Sequence, residues 1–260
     1  MRAMELPPIP PGESLSISAS TYVAYRQCPA MAAARLRGFY GPDSIPAFRG
    51  ALAHAVFARH LDGGPIEPSE FTQVCYESIG GSNLNYKLSP LGLKPSSLKG
   101  VIAEVHELYD RFRRLPVEGF SGAEVALTYD AGNGLTLAGR IDAVFGADSA
   151  VRLVDWKTGD LGEVLEQLRF YALLWALIEG AVPSAVEAFS VRTGEQYRDL
   201  PTEADVGATA ARVAEMVTSL RSAWERQEDV DRTAGPWCRH CPILDDCSEG
   251  RAAIRVAEAG

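Results

Sequence analysis

Alternation of apolar and polar positions is clearest between residues 135 and 157. LTLAGRIDAVF (135–145) has an apolar residue at nearly every second place, GADSA supplies turn residues centred near Ala147 and Asp148, and VRLVDW (151–156) runs back, which predicts an antiparallel hairpin. Helical spacing dominates elsewhere. LSISASTYVAYRQCPAMAAARLRG opens on the N-cap candidates Ser18 and Ser20 and predicts one helix up to Gly38 with Cys28 inside it. FRGALAHAVFARHLDGG predicts a second amphipathic helix, with His54 near its middle and His60 in its last turn. Residues 63–100, rich in Gly, Pro, Ser and Asn, predict a partly ordered excursion over the site, a lid or linker.

A helix at about 100–115 should follow, then a strand from AEVALTYDAGNG, so that the sheet core begins near Glu124. LEQLRFYALLWALIEG predicts an apolar helix and VEAFSVRTGEQYRDL a hairpin, while Thr202 with Asp205 makes a capping box for a helix to about 227. The expected class is α/β, a mixed sheet flanked by helices, with N-terminal helices and a C-terminal cysteine segment. Its organisation would be a flexible N-terminus (1–15), one domain (16–250) and a tail (251–260). Within the domain, a mainly helical part (16–115) precedes a core (120–200) and a C-terminal helix with the cysteines (202–250).

If the hairpin pairs positions that sum to about 297, Asp142 falls opposite Asp155, and Lys157 lies on the same face two residues on. Directly opposed residues bring their Cβ atoms to about 4.5–5.5 Å. Two carboxylates that close repel unless a cation sits between them, and hard oxygen ligands suit Mg²⁺ or Mn²⁺. Such an ion polarises a phosphoryl oxygen and acidifies a water, and a nearby ammonium can stabilise charge developing on phosphorus. The same pattern also suits an exposed hairpin whose aspartates pair with Arg140, Arg152 and Lys157. Gln167 and Tyr171, four apart on the next helix, could reach the site, although a Tyr among so many apolar neighbours also suits a core.

Charge and composition narrow the picture. A net charge of −9 argues against gripping duplex DNA over a broad basic face, so nucleic acid contacts should be local, with Arg35, Arg37 and the RFRR run at 111–114 as candidates. Only four of the 25 basic residues are lysine, which makes one inside the hairpin constellation less incidental. The N-terminus has no apolar export core and YALLWALIEGAV is short and broken by Glu179, so neither a signal nor a membrane span is expected, and the setting would be cytoplasmic. There is no GxxxxGK[ST].

WCRHCPILDDCSEG places Cys238, Cys241 and Cys247 in a CxxCx₅C arrangement, and Cys28 offers a fourth thiol. Clustered thiols in a chain without an export signal imply a metal centre. Four thiolates hold either zinc or a [4Fe–4S] cluster; paired CxxC is the commoner zinc pattern, and His240 is a substitute zinc ligand. Cys75 reads as a small buried residue.

Taken together, SxSTYxxYRQCP, RGALAH, GRID, VDWKTG and QLxxY, closed by CxxCPxxxxC, resemble the RecB-like exonucleases of the PD-(D/E)XK superfamily in the branch with an iron–sulfur cluster. That branch includes a CRISPR-associated exonuclease and the nuclease domain of AddB. The resemblance spans residues 16–248 in family order. It implies that His54, Asp142 and Asp155 ligate Mg²⁺ or Mn²⁺, that Lys157 is the catalytic lysine, and that Gln167 and Tyr171 complete the site. It further implies that Cys28, Cys238, Cys241 and Cys247 hold a [4Fe–4S] cluster. Asp155 and Trp156 stand where many relatives carry Glu and Tyr, and Glu124 where they often have an acid, here placed behind the ligands. The implied activity is exonucleolytic hydrolysis of DNA, favouring single-stranded ends, in CRISPR spacer acquisition beside the adaptation integrase or in recombination and repair with its proteins. The contrasting reading is a silent DNA- or partner-binding module, whose mark would be a lost Asp, Lys or His; all are present.

Overall fold

A computed structural model describes residues 14–132, 134–147, 150–226 and 228–259. The stretch 1–13, most of the expected flexible N-terminus, and the far side of the turn expected at Ala147 and Asp148 lie outside the described residues. Six strands form one mixed sheet: β1 (Leu15–Ser18), β2 (Phe120–Asp130), β3 (Leu135–Phe145), β4 (Arg152–Lys157), β5 (Ala185–Ser190) and β6 (Gln196–Asp199). β2 runs antiparallel along one edge of β3, while the other edge is shared, with β1 parallel to its first half and β4 antiparallel to its end. β5 adds parallel to β4, and β6 closes antiparallel on β5 as the expected hairpin.

Helices cover both faces. α1 (Ala19–Gln27), α2 (Pro29–Leu36), α6 (Leu165–Glu179) and α7 (Glu203–Arg226) share one core with Leu137, Ile141 and Leu153. α3 (Ile45–Gly63), α4 (Phe71–Gly81) and α5 (Pro95–Phe112) share the other with Ala143, Val154 and Trp156. α8 (Ser248–Ala259) makes the expected tail helical. α7 begins with the anticipated box, the Thr202 backbone N–H donating to Asp205 Oδ2 at 2.9 Å and the Asp205 N–H to Thr202 Oγ1 at 3.2 Å.

Three expectations are corrected. The single N-terminal helix is a strand followed by two helices: Leu15–Ser18 pair with β3, Ser18 caps α1, and Cys28 sits extended at φ −158°, ψ 112° between α1 and α2. Pro29 is the cause, because a residue before proline is barred from the helical region, and proline then suits the first turn of the next helix. Cys28 thus caps both helices, its N–H donating to the Ala24 carbonyl at 2.7 Å and its own carbonyl accepting from the Ala32 N–H at 3.3 Å. The second correction is inside 63–100, where α4 buries Phe71, Cys75 and Ile79 at a spacing of four and belongs to the core. The third is the extent of β2, which begins at Phe120 rather than near Glu124.

Candidate active site

The β3–β4 register sums to 297 as expected, but the ladder ends at Ala143↔Val154, one pair short of the two aspartates. Beyond that point Asp142 Oδ2 accepts a 2.6 Å hydrogen bond from the Trp156 backbone N–H. This contact fixes the carboxylate against β4. Trp156 is anchored beneath the sheet, edge-on to Phe112 and Phe189 at centroid distances of 5.3 and 6.2 Å, and Phe112 in turn stacks on Phe57 of α3 at 4.0 Å. Burying the indole on that side turns its neighbours Asp155 and Lys157 to the opposite one, towards α6.

Lys157 Nζ lies 2.8 Å from Asp155 Oδ2 and donates to Gln167 Oε1 at 2.7 Å. Gln167 Nε2 donates to Asp155 Oδ1 and to the Tyr171 hydroxyl, both at 2.9 Å. One amide thus orients a lysine, a carboxylate and a phenol. It reaches them because α6 packs tightly on β3 at Gly139, where a Cβ would come within 3.0 Å of Leu174 and 3.3 Å of Tyr171. Tyr171 is both core and site: its ring is buried, and burial followed by Asp155 holds its hydroxyl protonated far above the ordinary range.

From the other side His54 of α3 brings Nδ1 to 3.2 Å from Asp142 Oδ1. Burial works against a charged imidazole, but Asp142, then Asp155 and Glu124, lift its pKa to about 9. Asp155 is itself pushed up to about 6 by burial and by Asp142, against the pull of Lys157. Its Oδ2 is buried and, although close to Lys157, has no hydrogen bond of proper geometry.

Glu124 joins this group. It stands in β2 between Ala123 and Val125, which pair with Ala143 and Ile141, and so comes opposite Asp142. Its φ is +49°, a left-handed conformation that L side chains rarely adopt within a strand. Ligand atoms of His54, Glu124 and Asp142 lie within 4.8 Å of one another, the one such set of three or more His, Cys, Asp or Glu among the described residues. Burial and then Asp142 raise the Glu124 carboxyl, with Arg140 3.4 Å away. Glu124 thus stands beside His54 and Asp142 rather than farther back. Period-two alternation carries no sign of that left-handed backbone; an acidic residue opposite Asp142 is the available signal in the sequence. These residues open on a cleft of about 570 Å³, walled also by Arg59 of α3 and by Val74, Glu77 and Ser78 of α4.

The donor set suits a hard divalent cation. An imidazole and two carboxylates already converge, and an adjacent buried carboxylate oxygen lacks a hydrogen bond.

The four cysteines expected to act together also meet. Cys28, Cys238, Cys241 and Cys247 line one pocket with Ala30, Trp237 and Leu244. Their sulfurs accept backbone N–H groups: Thr233 to Cys28 at 3.4 Å, Gly235 to Cys238 at 3.4 Å, and Gly250 to Cys247 at 3.3 Å. Burial, with the other three thiols beside it, pushes the Cys241 thiol up. Cys75 is fully buried in α4, away from this pocket, as expected.

A strand pair that splays to seat two carboxylates, with a lysine two residues on and a helix closing over it, defines a class. The chain belongs to the PD-(D/E)XK nuclease superfamily, whose family model matches residues 16–248. Among solved structures, one described as "Putative exonuclease" from Eubacterium rectale superposes with a TM-score of 0.56 at 13% identity, covering 91% of this chain and 87% of that one; the likeness is one of fold. The structure of SSO0001 aligns over the same shares at 14% identity, with a TM-score of 0.38. No curated protein matches the sequence. Among the described residues no helix is long and apolar enough to cross a membrane.

Proposed function

We propose that the protein is a divalent-metal-dependent exonuclease that hydrolyses DNA from single-stranded ends. The observation that carries this reading is the convergence of His54, Glu124 and Asp142 at the cleft, backed by the Asp155–Lys157–Gln167–Tyr171 network on the adjoining strand and helix. His54, Glu124 and Asp142 would hold Mg²⁺ or Mn²⁺ together with Asp155. When bound, the ion supplies Lewis acidity towards a phosphoryl oxygen and lowers the pKa of a water. Lys157, fixed by Gln167, keeps an ammonium where negative charge develops on phosphorus and can orient the attacking water. Asp142 is held by the Trp156 N–H and Gln167 by the Tyr171 hydroxyl, so both are oriented before a substrate binds. The intact set favours an enzyme over a silent binding module.

We read the cysteine pocket as the seat of a [4Fe–4S] cluster, with zinc as the alternative: four thiols share it, and the CxxCx₅C run with a distant Cys28 departs from the paired CxxC that zinc more often takes. Anaerobically purified protein should then be brown, with about four iron and four sulfide per chain. The RecB-like motifs support a place in CRISPR spacer acquisition or in recombination and repair.

The test of end dependence compares linear single strands with covalently closed single-stranded circles at equal nucleotide concentration, with Mn²⁺ or Mg²⁺. Linear strands should be degraded and circles spared. Equal degradation of circles would remove the exonuclease reading while leaving the hydrolytic site intact.

A further inference from the structure

Charge is unevenly distributed along this acidic chain. Residues 14–42 contain Arg26, Arg35 and Arg37 and no Asp or Glu; residues 78–103 contain Lys87, Lys94 and Lys99, again with no acid. The fold fastens the two stretches together, since Lys87 Nζ donates to Asp43 Oδ1 at 2.7 Å and ties the short turn Asn85–Lys87 to the loop after α2. Farther back that loop is seated against the cysteine segment: a Cβ on Gly41 would come to 2.7 Å of the His240 carbonyl oxygen.

Three large aromatic side chains on this joined surface face solvent, Phe39 being 59% exposed, Tyr40 73% and Tyr86 61%. Basic groups are interleaved with them. Arg35, half-buried and donating to the Ser20 carbonyl at 2.8 Å, is near enough to Tyr40 to interact with it, Arg37 is exposed two residues before Phe39 in the chain, and Lys87 Nζ lies 5.6 Å from the centre of the Tyr86 ring. The run ends at the cleft, because Ser82 and Leu84, just before Tyr86, line the same cavity as His54, Glu124 and Asp142.

Unstacked bases present flat π-faces that lie on aromatic rings whatever their sequence, and flanking cations follow the phosphates. A duplex hides those faces, and this chain carries too few cations to grip one by its backbone. We infer that Phe39, Tyr40 and Tyr86, interleaved with Arg35, Arg37 and Lys87, form a stacking track that leads single-stranded nucleic acid into the cleft. This rests on the nuclease reading and adds to it a surface for the uncut part of the strand.

The test uses the full chain with Asp155→Ala, so that the ligand is not cut, in EDTA. Fluorescence anisotropy would measure binding of fluorescein-labelled fifteen-residue oligothymidylate and of an abasic strand of equal length. Without track substitutions the base-bearing strand should bind about tenfold or more tightly than the abasic one. Phe39→Ala with Tyr40→Ala, or Tyr86→Ala, should weaken oligothymidylate binding about tenfold or more and shrink that preference. Melting temperatures should change by no more than about 2 °C, since these side chains are exposed. Unchanged oligothymidylate affinity in both variants would overturn the track and leave the aromatic surface to a protein partner. Equal loss on both strands would also overturn it, because stacking needs bases. A failure of the wild-type chain to cut DNA would refute the nuclease reading separately, with the affinity comparison still deciding the track.

Discussion

The cleft and the cysteine pocket both gather metal-ligating side chains, but they are held in opposite ways. In the cleft, charges restrain charges: His54 faces Asp142, Lys157 faces Asp155, and Gln167 and Tyr171 lock the pair. Its cost is visible in two carboxylates, Asp155 and Glu124, driven above their ordinary pKa by burial and by Asp142, and in the left-handed backbone of Glu124. In the cysteine pocket the sulfurs accept backbone N–H groups inside apolar walls, and three of them come from the last turns of the chain while the fourth follows α1. The cleft stores unfavourable electrostatics that a bound cation would relieve, whereas the pocket brings together cysteines from the two ends of the described fold, which a bound metal group would fasten. Loss of a group should therefore cost chemistry in one place and stability in the other.

The sharpest break of that contrast lies in the cleft. Asp155→Ala and Lys157→Ala should each lower DNA hydrolysis by about a thousandfold or more; in metal-free buffer the melting temperature should hold or rise for Asp155→Ala, and fall for Lys157→Ala, which leaves the buried Asp155 carboxylate without its counter-ion. Initial rates on labelled DNA and thermal scans check it, and wild-type rates in both variants would place the chemistry elsewhere. For the pocket the order reverses. Cys28→Ala and Cys247→Ala should lose iron and lower the melting temperature by about 10 °C, because a link from Cys28 to Cys247 restrains a loop of about 220 residues. Mn²⁺ affinity measured calorimetrically on the soluble fraction should change little. A smaller effect sharpens the contrast within the cleft: Glu124→Gly relieves a left-handed φ and a crowded carboxylate, so the metal-free chain should melt a few degrees higher while its Mn²⁺ affinity falls about tenfold.

These two regions also differed in how far the sequence disclosed them. The hairpin could be read because β3, its turn and β4 are contiguous, so alternation set the register and placed Asp142 near Asp155. Helical spacing put Gln167 and Tyr171 on one face directly after it, and the family resemblance implied that they complete the site. What pairing alone could not show is that the ladder stops before the aspartates and that the Trp156 N–H takes Asp142 instead. The clustered cysteines, with Cys28 as a fourth thiol, already suggested a metal centre, whereas the role of His54 and the choice of a [4Fe–4S] cluster came with the family resemblance, since neither α3 nor Cys28 is near its partners in the chain. The parallel strand Leu15–Ser18 was hidden by its brevity and by serines that also suit a helix start; the helix break at Cys28 was legible from Pro29. α4 was masked by the glycines and serines around it, although Phe71, Cys75 and Ile79 carry the helical spacing.

The central claim is that an exchangeable cation in the cleft performs the hydrolysis while a permanent group in the cysteine pocket holds the fold. One measurement addresses both halves: hydrolysis of end-labelled single strands and visible absorbance, followed in the same brown sample through addition of EDTA and then of excess Mn²⁺. EDTA should stop hydrolysis with the colour retained, and Mn²⁺ should restore the rate. Hydrolysis that persists in EDTA, or that fails to return with Mn²⁺ while the colour remains, would contradict the account.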